Sequence, residues 1–375
     1  KAFKGTPGES DEKLVPVRLW QKPLVQGALL SMDVKDGAVR AMVGGPDFRD
    51  SQLNRALQSR RQVGSTFKPI VYAAVIDTKR VTSASMIADA PLAKETGAGF
   101  IWKPGNYGDD YLGHITLRKA LAMSRNTCTV RVLDAADPGM NDDVIYDFAR
   151  ALGIGGTPTY RLPDDHKASP LNDKLCPWLK KEPDFTICMD AWDDSDGATW
   201  CRACDQSMAL GSASISMDEM VRAYSAFPTG GKLIEPYFIE EVTDRDGKEL
   251  YKHEKAEPPQ VMDPAVATIT TGLMHGVVSG GTAARAMQLG LRGIAGKTGT
   301  TNDFKDAWFI GFTNDVITAT WVGFDEPASM GVSSTGGKTA LPIWMDYMKV
   351  AAPKENDRGF PTHGEIVTAN IDEET

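Results

Sequence analysis

Ser65 and Lys68 stand three residues apart in Gly64-Ser65-Thr66-Phe67-Lys68-Pro69. Pro69 marks a helix start, because proline is tolerated in the first turn, where backbone N–H groups have no intrahelical acceptor. A three-residue offset puts both side chains on one helix face, so an unprotonated Lys68 can take the proton of Ser65 Oγ and leave a nucleophile. The helix amino terminus favours the negative charge that develops there. Ser10 and Lys13 repeat the spacing in a polar segment with no apolar helix behind it, and are read as incidental. Two further groups complete the set. Ser124-Arg125-Asn126 ends an apolar stretch, and Lys297-Thr298-Gly299-Thr300 ends a strand-like run. A strand edge of that kind offers hydroxyls, backbone N–H groups and positive charge, and Gly299 has no side chain to keep a ligand's backbone away.

These groups lie far apart in the chain, so the fold must gather them. The run 27–34 alternates toward β-favouring residues, Asp36-Gly37 is a turn signal, and 38–43 resumes the pattern before Gly44-Gly45-Pro46: a β-hairpin. Helical patterning covers 67–76, 117–135, 216–227 and 264–278, with Asp218 and Glu219 suited to a first turn. Three strand-like runs follow, at 293–300, 307–313 and 316–324. Two strands in front, helices between and three strands behind predict a mixed α/β fold of the α+β type. A five-stranded antiparallel sheet is closed by both ends of the chain, with flanking helices and an inserted helical lobe.

Residues 1–24 read as a linker or the end of a preceding domain, 25–350 as the main domain, and 351–375 as a C-terminal tail. Within the domain, 155–205 is an irregular insertion rich in Cys and Trp. Cys176, Cys188, Cys201 and Cys204 cluster there, which fits two disulfides in an oxidising compartment or a zinc site, while Cys128 stands apart. Net charge is -9 with no long basic run, which argues against nucleic acid as a partner. No stretch of about 18 apolar residues occurs, and no H-E-x-x-H, Walker loop or G-x-G-x-x-G fingerprint appears, so neither a metal nor another cofactor is expected at the serine site.

Taken in order, the serine, S-x-N and K-T-G elements match the set of penicillin-recognising enzymes. The phrase 293–312, GIAGKTGTTNDFKDAWFIGF, resembles class A (bifunctional) penicillin-binding proteins of 1a-like type in their transpeptidase region. So do Gly44-Gly45, Asn54-Arg55-Ala56, Arg61-Gln62-Val63-Gly64 and the stretch 209–231. The resemblance runs from about residue 25 to residue 348 and leaves the Cys/Trp insertion unmatched. It implies the penicilloyl serine transferase, β-lactamase-like fold and a D-Ala-D-Ala transpeptidase that cross-links peptidoglycan stem peptides and is acylated by β-lactams.

The resemblance also assigns roles. Ser65 attacks the penultimate D-Ala, Lys68 is its base, Ser124 relays a proton to the leaving amine, and Asn126 binds the substrate amide. Lys297 keeps the site positive, Thr298 and Thr300 bind the terminal carboxylate, and the backbone of Ser65 and Thr300 forms an oxyanion hole beside Gly299. Trp102 resembles an aromatic element of the cleft. A glycosyltransferase domain and a membrane anchor ahead of Lys1 are implied, with the site on the outer, periplasmic or extracellular, face of the cytoplasmic membrane. A β-lactamase shares the three motifs, but no Glu followed four positions later by Asn lies between Ser124 and Lys297. A carboxypeptidase and a β-lactam sensor without turnover remain the competing readings.

Overall fold

Val316–Gly323 and Asp306–Phe312 are buried at every residue, so these strands need cover on both faces. In the computed structural model, which describes residues 23–96, 100–136, 143–155, 206–352 and 359–369, they are the middle of one sheet. Its strands are β1 (Gln26–Asp33), β2 (Val39–Val43), β3 (Ala295–Thr300), β4 (Asp306–Phe312) and β5 (Val316–Gly323), in the order β3-β4-β5-β1-β2. All neighbours are antiparallel. The front hairpin joins the back meander through β1 and β5, paired from Gln26↔Gly323 to Asp33↔Val316. The expected five-stranded sheet closed by both chain ends is present, with boundaries shifted by a residue or two.

The helices are α1 (Lys68–Asp77), α2 (Leu117–Ala122), α3 (Asn126–Ala136), α4 (Asp143–Ala151), α5 (Met217–Ser225), α6 (Pro264–Ser279) and α7 (Gly336–Ala351). α7 lies on β4 and β5, where Trp344 meets Phe309 edge to face at 5.0 Å and donates to the Gly311 carbonyl. α5 packs on β5 and β1, and α6 on β3 and α1. From Lys68 to Ile76 every residue of α1 is buried, as expected of a helix that is apolar on all sides.

Two expectations need correction. The pattern at 117–135 predicts one helix, but the chain breaks at 123–125 into α2 and α3, with Ser124 in the left-handed region at φ 57°. The apolar period continues across the break because both halves face the same core; backbone bonds from Ser124 and Arg125 to Leu121 and Ala120, with polar contacts described below, set the turn. Ser65 precedes the α-helix rather than beginning it, in a 3-10 turn Gly64–Phe67 that runs straight into α1. Residues 1–22 of the 1–24 segment, Ser10 and Lys13 among them, and Cys176, Cys188, Cys201 and Cys204 with nearly all of the insertion lie outside the described residues.

Candidate active site

The turn that carries Ser65 is fixed from several sides. Residues Arg60–Gln62 form a short ribbon with Ser214–Ser216, and the Gly64 amide then donates to the Gly211 carbonyl at 3.0 Å. A Cβ on Gly211, whose φ is +82°, would stand 1.9 Å from the Gly64 oxygen, so only glycine fits this approach. Thr66 Oγ1 donates to the Val63 carbonyl at 2.7 Å, Trp308 Nε1 donates to Gln62, and Tyr224 Oη to Thr66. One turn after Ser65, Lys68 is fully buried.

β3 forms the opposite wall and packs against this turn. A Cβ on Gly299 would come within 2.6 Å of the Val63 oxygen and 2.9 Å of Thr66 Cγ2, and one on Gly64 within 3.0–3.3 Å of the Thr300 backbone. The backbones of Ser65 and Thr300 are thereby brought side by side. β3 is an edge strand, so one row of its N–H and C=O groups faces away from the ladder, toward the cleft. The Gly336 amide donates to Thr300 Oγ1 at 3.0 Å, which leaves the hydroxyl hydrogen of Thr300 to point elsewhere. Thr298 Oγ1 lies 2.7 Å from Thr282 Oγ1.

The S-x-N turn closes the third side. Lys68 Nζ donates to the Ser124 carbonyl and to Asn126 Oδ1, both at 2.7 Å, and stands 3.4 Å from Ser124 Oγ. Lys297 Nζ donates to Ser124 Oγ at 2.8 Å and to the Thr298 carbonyl at 3.0 Å. Lys68, Ser124, Asn126 and Lys297, gathered from positions more than two hundred residues apart, therefore form one bonded cluster beside Ser65. Burial, and then the neighbouring Lys297 charge, holds the Lys68 amine well below the ordinary lysine range. Burial alone brings Lys297 down to about 7.

Those hydrogen bonds determine what the amine can do. A neutral Lys68 has two N–H donors and one lone pair. The two carbonyl oxygens take both donors, and the lone pair is left for a hydroxyl proton. Ser124 Oγ accepts from Lys297, so its own hydrogen is available for transfer. The amide of Asn126 is held at both ends, since Nδ2 donates to the Gly105 carbonyl at 2.7 Å; one Nδ2 hydrogen remains for a ligand.

Trp102 lies on a separate ribbon, Lys94–Thr96 with Phe100–Trp102, opposite Lys94 and half-buried; the chain joins it to the site through Gly105, three residues on. Asn106, four residues after Trp102, is the member of that stretch whose side chain bonds to the site. Its Oδ1 accepts from the amides of Asn126 and Thr127, and Asp89 and Arg125 tie into the same network. A lone Asp or Asn gives no signal in a sequence, so these partners were not foreseeable from motifs. Arg61 pairs with Asp306 at 2.8 Å behind the serine turn, and Arg55 with Asp325 at 2.5 Å. Cys128 is buried and free, its thiol pushed up to about 12 by burial. Among the described residues no group of three or more His, Cys, Asp or Glu could hold a metal ion.

Residues 27–349 match the family model of the penicillin binding protein transpeptidase domain. The chain is 37% identical over 356 residues to penicillin-binding protein 1A of Neisseria gonorrhoeae, covering 93% of this chain and 39% of that protein. Its fold superposes on the crystal structure of penicillin-binding protein 1A from Haemophilus influenzae with a TM-score of 0.76 at 30% identity, covering 95% of this chain and 52% of that one. The PonA1 protein from Mycobacterium tuberculosis, solved in complex with penicillin V, gives a TM-score of 0.68 at 25% identity over 92% of this chain and 83% of that one. This chain thus spans about two fifths of the length of the curated Neisseria relative it matches, and it belongs to the penicillin-binding protein transpeptidase domain family.

Proposed function

We propose that the domain is a serine D-Ala-D-Ala transpeptidase that cross-links peptidoglycan stem peptides and is acylated by β-lactams on Ser65. The observation that carries this reading is the state of Lys68: buried, depressed in pKa, and with both amine hydrogens engaged by carbonyl oxygens. Ser65 Oγ attacks the carbonyl carbon of the penultimate D-Ala while its proton passes to the Lys68 lone pair. The backbone N–H groups of Ser65 and Thr300 receive the oxyanion. The C–N bond then breaks, and the terminal D-Ala leaves as an amine that takes a proton through Ser124 Oγ. An amine of a second stem peptide attacks the ester carbonyl, gives up a proton to the same base and releases Ser65.

The hydroxyls of Thr298 and Thr300 and the charge of Lys297 hold the substrate's terminal carboxylate on β3, with Gly299 giving room for its backbone. Trp102 flanks the cleft mouth. In the whole protein the domain, bounded at about 25–350, works on the outer face of the cytoplasmic membrane beside a glycosyltransferase domain and an anchor, although no described helix is long and apolar enough to cross a membrane. A thioester analogue of the D-Ala-D-Ala donor, supplied with a D-amino acid as acceptor, tests the reaction. The expected product is the acyl group transferred to the added amine, lost in Ser65→Ala. Hydrolysis without transfer would replace the reading with a carboxypeptidase, and labelling by penicillin without turnover of the thioester would replace it with a sensor.

A further inference from the structure

We infer that Asp89, outside all three motifs, is the positioning residue of the S-x-N wall: its carboxylate holds the 124–127 turn so that Ser124 and Asn126 meet Lys68 and Lys297. This rests on the reading of the site given above. Asp89 ends the strand Met86–Asp89 and is fully buried. Its Oδ1 accepts from Asn106 Nδ2 and Thr127 Oγ1, both at 2.7 Å, and its Oδ2 from Arg125 Nε at 2.7 Å and the Leu112 amide at 2.9 Å. A buried carboxylate is stable only when its charge is paired and its lone pairs are filled. Both conditions are met, and three of the four donors lead to the turn.

Arg125 is itself a residue of the turn, and Thr127 is the second residue of α3, which leaves it. Asn106, oriented by its bond to Asp89, uses Oδ1 to accept from the Asn126 amide at 2.8 Å and the Thr127 amide at 3.3 Å, capping α3. Arg125 also donates to Asp110 Oδ1 at 3.0 Å and to the Asp110 carbonyl. Between these anchors and the backbone bonds that close α2, from the Ser124 amide to the Leu121 carbonyl at 3.0 Å and from the Arg125 amide to the Ala120 carbonyl at 2.9 Å, Ser124 is kept at φ 57°, a conformation a serine leaves when nothing holds it. That conformation aims the Ser124 carbonyl at Lys68 and its hydroxyl at Lys297. Asp89 touches neither reacting atoms nor the carboxylate subsite on β3, so its effect falls on the chemical step more than on binding.

The test is Asp89→Asn, which keeps the shape but removes the charge and turns one acceptor into a donor. Acylation by benzylpenicillin is resolved into the noncovalent dissociation constant and the first-order acylation rate constant, with melting temperature measured alongside. The expected result is a rate constant lowered by about tenfold to a hundredfold, about 1.4–2.8 kcal/mol, with the dissociation constant raised by no more than about threefold. A wild-type rate constant, or binding and rate falling in parallel as in general loosening, overturns the inference. If Asp89→Asn does not fold, Thr127→Val and Asn106→Ala take its place, each removing one donor to Asp89 while leaving the Arg125 pair; a wild-type rate constant in either overturns it equally. Wild-type protein that binds penicillin without a Ser65 adduct would instead sink the reading of the site itself.

Discussion

β3 is held along its whole length by paired backbone, from Ala295↔Phe312 to Thr300↔Ala307, whereas the 123–127 segment that faces it is held by a few backbone bonds that close α2 and, beyond them, by side chains from distant parts of the chain. On the first wall the determinants are glycines and a ladder. Gly299 lets the strand lie against Val63 and Thr66, and Gly336 lets α7 start close against β3, where a Cβ on it would stand 2.4 Å from the Gly299 oxygen. On the second wall a buried anion organises Arg125, Asn106 and Thr127. A ladder resists a single substitution because each residue contributes one bond among many. A network centred on one carboxylate fails at its centre. The two walls meet at Lys68 and Lys297, which bond to Ser124 on one side and rise from α1 and β3 on the other.

Removing the meeting point should have the largest effect. Lys68→Ala takes away the base and leaves both carbonyl acceptors without their donor, so penicillin acylation should fall by about a hundredfold to ten-thousandfold. A rate within tenfold of wild type would show that another group takes the Ser65 proton. Next comes the carboxylate subsite: Thr300→Val should slow acylation by about tenfold to a hundredfold, the loss of a hydrogen bond to a charged group. Because Thr300 Oγ1 also accepts from the first amide of α7, this variant should lose about 1 kcal/mol of stability as well. An unchanged rate in the folded variant would place the carboxylate elsewhere.

Gly299→Ala probes the strand wall itself, since the new methyl must push the Ser65 turn from β3. Overpacking of this kind costs about 1–3 kcal/mol, to be read from denaturant melts. An unchanged stability would mean that the two elements do not rely on their close approach. A gradual effect, spread over a range of pH, concerns Lys297, whose pKa in the fold, about 7, lies below its ordinary value of 10.5. Below pH 7 both folded and unfolded forms are protonated and the burial penalty is complete; between pH 7 and 10.5 the unfolded chain binds more protons, so the penalty lessens as pH rises. The stability advantage of Lys297→Met over wild type should therefore shrink across that window, with a limiting slope of about 1.4 kcal/mol per pH unit. A gap that widens with pH would contradict a buried, depressed Lys297.

The strand wall was legible in the sequence, whereas of the turn wall the S-x-N residues were legible and the break that places them was not, for a physical reason. Short runs of β-favouring residues with turn residues between are a local property of 26–43 and 295–323, and K-T-G sits at the end of one such run. The break at Ser124 has no local mark in the sequence: 117–135 keeps its helical period, with no glycine or asparagine at the left-handed position, and the turn is set by backbone bonds that close α2 together with the contacts of Asp89 and Asn106 beyond it, which no spacing rule reports. In the stretch 102–107 an aromatic residue, Trp102, is conspicuous, while the side chain that bonds to the site is that of Asn106, four positions on. Helix α7 was missed because Gly336, Gly337 and Pro342 disguise its apolar face, which docks Trp344 and Met348 on the sheet.

The most direct test of the central claim is peptide mapping by mass spectrometry after brief treatment with benzylpenicillin. One penicilloyl group on the peptide that contains Ser65, absent in Ser65→Ala and slow to form in Lys68→Ala, is the predicted result. An adduct on any other residue, or undiminished labelling of Ser65→Ala, would contradict it.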